Sequence, residues 1–136
     1  MAIQYNPVTN AITNDGTGAT SVDGLNLRGL TQVIPADAVY EFVLTDAGKQ
    51  ILHPAAHTTA RTWTIPANSA VVFPIGTVIT IINQASAGVL TIAITTDALN
   101  WYPSAGTGAR TLAASGMASL QKITATVWVI TGCGLT

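Results

Sequence analysis

The chain is 136 residues long, and only 8% of them are charged, with hydrophobic residues at 49% and a formal net charge of -1. That length fits one domain with a real core, yet soluble domains usually carry about 25% charged residues. The cations Arg28, Lys49, Arg61, Arg110 and Lys122 are scattered along the chain, and phosphate binding needs several clustered together, which excludes nucleic acid as an expected partner.

A membrane role is excluded on the same reading. No run of about 18 apolar residues exists, and the greasiest segment, 69–83, is broken by Pro74 and Gly76. The start, MAIQYNPVTN, lacks the basic residues and apolar run of a signal peptide. Aromatic residues at 6% are too few for the girdles of an outer-membrane barrel. The surface is therefore built of neutral Thr, Ser, Asn and Gln, as expected of a protein that works packed against neighbouring subunits.

Residues 1–30 are rich in Asn, Thr, Gly and Asp, which favour turns and loops. Apolar residues recur among them, and the segment reads as an extended N-terminal arm that orders on a partner surface. Ile3, Tyr5, Val8, Ile12, Leu25 and Leu27 are its candidate anchors. A frayed terminus with one edge strand is the alternative.

From residue 31 to 136 the pattern is β. Tyr40 to Leu44 reads as a strand, Asp46-Ala47-Gly48 as a turn, and Lys49 to His53 as a returning strand. Thr62 to Ile65 alternates and stops at Pro66; 71–73 forms a short strand ending at Pro74; Gly76 opens a β-branched run to Asn83. After the turn at 85–88, Leu90, Ile92 and Ile94 share one face and Thr91, Ala93 and Thr95 the other. Leu99 to Tyr102 is a short strand stopped by Pro103, and 106–108 is a further turn. The last run, 119–131, reads as one long strand. Short strands punctuated by Gly, Pro and Asn predict an all-β single domain of β-sandwich or jelly-roll type. Semi-apolar residues on both faces of the late strands predict that a sheet surface also meets another subunit.

Little in the chain points to catalysis. His53 and His57 are four apart, a spacing that suits zinc on a helix, but Pro54 between them makes a loop. The nearest further carboxylate in sequence is Asp46, and no metal or cofactor is expected. The carboxylates form no evident pair, no GxSxG elbow occurs, and GTGAT lacks the lysine of a phosphate loop. The lone Cys133 reads as a small hydrophobe near a strand end. Trp101 and Tyr102 are adjacent in a strand and so point to opposite faces. At least one could serve surface recognition by stacking on a sugar or a protein; the other reading makes Trp101 core and Tyr102 an edge cover.

The order of segments LTDAGK (44–49), TWTIPAN (62–68), FPIGTVITIIN (73–83), GVLTIA (88–93) and ATVWVITG (125–132) resembles a β-module of tailed-bacteriophage virion proteins. The resemblance spans roughly residues 38–136 and includes tail-fibre segments and small capsid-associated proteins. It implies a β-rich, usually oligomeric structural unit with no catalytic residues. Here the module has its own starting Met and is expected to stand free rather than within a longer fibre.

The resemblance and the composition together predict a capsid decoration, or cement, protein. It would bind the major capsid protein on the outer capsid surface of the virion and associate with itself as a trimer or dimer, after synthesis in the host cytoplasm. The alternative is a tail-tip or tail-fibre module that recognises a host glycan through Trp101 or Tyr102.

Overall fold

A computed structural model describes two short strands near the N-terminus and residues 29–136. β1 (Gln4–Asn6) and β2 (Ala11–Thr13) pair antiparallel, with Tyr5 opposite Ile12. Of the candidate arm anchors, Ile3, Val8, Leu25 and Leu27 lie outside the described residues.

The remaining strands are β3 (Gln32–Val33), β4 (Tyr40–Glu41), β5 (Gln50–His53), β6 (Arg61–Ile65), β7 (Val78–Asn83), β8 (Leu90–Ile94), β9 (Ala98–Trp101), β10 (Arg110–Thr124) and β11 (Val127–Leu135). They form one curled, mixed sheet with two wings. In the first wing β3, β5 and β7 lie side by side in parallel, and in the second β4, β6 and β8 do the same. The chain alternates between wings, so each parallel neighbour is reached through a strand of the opposite wing. A parallel pair needs a long crossover, and here the crossovers are themselves strands.

The β10–β11 hairpin closes the coil and joins the wings. The first residues of β10, Arg110 to Leu112, pair with β8, whereas Gly116 to Gln121 pair with β7. Between these stretches the register against β11 slips: Leu112 faces Leu135, and Met117 faces Cys133. Four residues, 113–116, thus stand opposite Gly134 alone. This large bulge bends the strand from one wing to the other. Gly132 lies beside it, where an added Cβ would stand 2.1 Å from the Met117 carbonyl oxygen.

One core fills the space between the wings. Ile51, Ile79, Ile81 and Leu120 enter from the first wing, and Trp63, Ile65, Leu90, Ile92 and Leu112 from the second, all almost wholly buried. Leu99, Trp128 and Ile130 extend it under β9, where Phe73 stands edge-on to Trp128 at 5.4 Å. The inward residues alternate along each strand, as the period of two requires.

Three local expectations are corrected. Strand β5 does not return beside β4: a single 3-10 turn over Leu44–Asp46 carries the chain into the other wing, and β4 pairs with β6. Residues 71–73 form no strand; Phe73 instead plugs the core from a loop. The run 119–131 is two strands turned about at Ala125 and Thr126, preceded by strand that the alanine-rich 110–118 did not advertise.

Two buried polar groups shape this framework. Lys122 points inward from β10 with only 1% of its surface exposed. Its Nζ donates to Asn68 Oδ1 and stands 5.8 Å from the centre of the Trp128 ring. Asp46 is buried too, its Oδ2 accepting from the Tyr40 hydroxyl at 2.8 Å and the Val43 amide at 2.9 Å. Burial first, then the bond to Asp46, raises the Tyr40 phenol above its ordinary range.

Removing the acceptor of a buried ammonium is costly, whereas removing the ammonium itself is not. Asn68→Ala should lower unfolding free energy by about 1–3 kcal/mol, while Lys122→Met should leave it level or raise it; equal losses in chemical denaturation would refute the asymmetry. For Tyr40 the raised value means that its contribution is complete below the free phenol value of about 10 and is lost as pH climbs through the higher folded value. Unfolding measured from pH 9 to 12 should therefore show a steeper alkaline decline in the wild type than in Tyr40→Phe, and parallel declines would contradict it.

Candidate functional site

Two regions stand out among the described residues. The first is a polar cluster where three loops meet at one end of the wings. His53 is the last residue of β5 and faces inward, in register with Asn83, the last residue of β7. The Asn83 amide nitrogen donates to the carbonyls of Gly88 and Leu112, both at 3.0 Å. That orientation leaves Asn83 Oδ1 facing His53 Nδ1 at 2.8 Å. Since this oxygen only accepts, Nδ1 must carry the hydrogen, and the lone pair of the neutral ring falls on Nε2. His53 is 1% exposed, and its Nε2 has no hydrogen-bond partner.

After β5 the chain turns at once. The His57 amide donates to Pro54 O at 2.9 Å, closing a turn over residues 54–57. The turn is pinned to the 84–88 loop on both sides: the Ala55 amide donates to Gln84 Oε1, and the Gly88 amide to His57 O, each at 2.9 Å. Gly88 is required there, because a Cβ would come within 2.3 Å of Thr59 O. The turn brings the His57 ring to 5.5 Å from the His53 ring, and His57 Nδ1 is also buried without a partner. The Trp63 ring walls the inner side, edge-on to His53 at 5.7 Å.

Asp37, from the loop between β3 and β4, completes the cluster. One potential ligand atom from each of Asp37, His53 and His57 lies within 4.8 Å of the others. Arg61 Nε donates to Asp37 Oδ1 at 2.8 Å, and chiefly through that bond it holds the carboxyl below the ordinary carboxylate range. Sequence spacing pointed to Asp46 as the nearest carboxylate; the structure commits Asp46 to Tyr40 and Val43 instead. Asp37 gave no signal in the sequence, because the coil, and not chain proximity, brings its loop to the histidines.

The second region is the outer face of the first wing. Its exposed rows can be followed across four strands by register. Leu52, Ile82, Met117 and Cys133 stand side by side, and next to them Gln50, Thr80, Ser119 and Thr131. A third row joins exposed Val78 and Gln121 and ends on Val129, which is buried. No Asp, Glu, Lys or Arg belongs to these rows. Thr80, Met117, Ser119, Thr131 and Cys133 line a shallow cavity of about 280 Å³.

Trp101 and Tyr102 separate as their adjacency requires. Trp101 packs partly buried against the core with the Arg110 guanidinium 5.1 Å above its ring, and Tyr102 is 52% exposed. Each lies apart from the histidine cluster in the topology, on and just beyond β9 at the edge beside β11.

Comparison with known protein families, with characterised proteins and with solved structures finds no match.

Proposed function

We propose that this chain is a structural virion protein, a capsid decoration protein of a tailed bacteriophage that binds the outer surface of the shell. The observation that carries the reading is the uncharged outer face of β5, β7, β10 and β11. A solvent-facing sheet of a monomer normally carries charge, which keeps it soluble and discourages association. Interface cores, by contrast, are depleted in charged residues. A row of Leu, Ile, Met and Cys beside a row of Gln, Thr, Ser and Thr suits a dry contact with a partner: the apolar row gains by burial, and the hydroxyls can pair without stripping ions of water. The partners are the major capsid protein and further copies of this chain, with residues 1–30 as the second attachment.

The reading supposes many copies per particle. A quantitative gel of purified virions should show hundreds, and a handful would place the protein in the tail instead. Met117→Lys and Ser119→Glu lie on exposed or half-exposed positions of the outer face, so they should leave the fold and its melting temperature nearly unchanged. Each should weaken binding to shells lacking the protein by at least about tenfold, the 1.4 kcal/mol or more expected from an unpaired charge forced into a contact. Undiminished binding would overturn the assignment of this face. Shells without the protein should also rupture at a lower temperature than decorated ones. Binding of the purified protein to host cells, lost in a Tyr102→Ala variant, would favour the glycan-recognising tail module instead.

A further inference from the structure

We infer that Asp37, His53 and His57 form a binding site for a transition-metal cation, zinc by its ligand set, that clasps the loop before β4 to the loop after β5. Three features point to a ligand. The first is convergence: an imidazole from the end of β5, one from the turn after it and a carboxylate from the loop before β4 present atoms within 4.8 Å of one another. The second is unspent bonding capacity. His53 Nε2 and His57 Nδ1 are both buried and without a partner, and buried polar atoms are rarely left so. The third is orientation. Asn83, itself fixed by the carbonyls of Gly88 and Leu112, takes the Nδ1 hydrogen of His53 and so leaves the lone pair on Nε2, the nitrogen that has no partner. A histidine that donates its second nitrogen to a fixed acceptor is the usual arrangement of a metal ligand, because it sets both tautomer and ring angle.

The donor set selects the ion. Two nitrogens and one oxygen suit zinc and its neighbours among the divalent transition metals, whereas calcium and magnesium take oxygen ligands. Zinc would be held by three protein ligands with a fourth position left for water or a partner group. Arg61 occupies one direction of the Asp37 carboxylate through Oδ1. A carboxylate has about four lone-pair directions over two oxygens, so this bond orients Asp37 and leaves it free to coordinate. The guanidinium charge also opposes the cation, which places the affinity below that of a fully anionic site. The Trp63 ring lines the inner side, and Gly88 holds the 84–88 loop close against Thr59.

The test uses chelator-treated full-length protein and zinc chloride, with cobalt(II) as a spectroscopic probe. Calorimetry should show one zinc per chain, and cobalt should give visible absorption bands of nitrogen and oxygen coordination without a thiolate charge-transfer band. His57→Ala and Asp37→Ala replace partly or fully exposed loop residues, so circular dichroism should show both folded. Each should bind zinc at least about tenfold more weakly and lose the rise in melting temperature that zinc gives the wild type. Cys133→Ser should bind as the wild type does. Absence of zinc and cobalt binding by the wild type, or equal binding by the two loop variants, would overturn the site. A cobalt–thiolate band lost in Cys133→Ser would do the same, by locating the metal at the free thiol. The outcome is independent of capsid binding, which is read on shells and not on metal.

Discussion

The side chain of Asn83 is the interaction on which the two wings depend. It sits at the last position of β7 and reaches three groups from three parts of the chain: the His53 ring, the Gly88 carbonyl and the Leu112 carbonyl. Leu112 is the residue at which β10 parts from β8, just before its bulge, so this one amide ties the end of the first wing to the start of the bend. Its bonds to His53 and Leu112 are buried and that to Gly88 partly so, and such a network is valuable only when complete. An apolar residue at position 83 would strand two carbonyls and the buried histidine together.

Around that tie, the fold divides its polar chemistry unevenly. Inward, a few polar side chains are each fastened to a specific neighbour: Lys122 to Asn68, Asp46 to Tyr40, His53 to Asn83. Outward, on β5, β7, β10 and β11, polarity is supplied by hydroxyls and amides without charge. The scarcity of ionised residues is therefore not uniform dilution. Of the eight charged residues among the described ones, two are in the core, and none stands on the broad face of the first wing.

The β class and most strand positions were legible because period-two alternation and Gly or Pro breaks are local signals. Leu90 and Ile92 face the core as their alternation required. The order of strands was not legible. Asp46-Ala47-Gly48 has the composition of a hairpin turn, yet the strands that flank it belong to different wings, since a coil of parallel strands uses the same turn chemistry to cross between layers. The long β10 was hidden for a related reason: Ala113, Ala114, Ser115 and Gly116 form a bulge and lack the apolar alternation of a paired strand. The histidine turn was placed correctly as a loop, but its meeting with Asp37 is a product of tertiary stacking that no spacing rule encodes.

The hairpin that joins the wings has a bearing on how the chain is made. Among themselves β3 to β8 pair only in parallel and with strands well removed in sequence, an arrangement whose loop-closure entropy must be met before its contacts form. The β10–β11 hairpin is the local element beside which β7, β8 and β9 all lie, and Leu135, near its end, is part of the core. On a ribosome, which exposes the chain from its N-terminus at about 5–20 residues per second, the earlier strands emerge without the spine they need. The core can close only once residue 135 has emerged, so the domain forms as a single event that waits for its last strand.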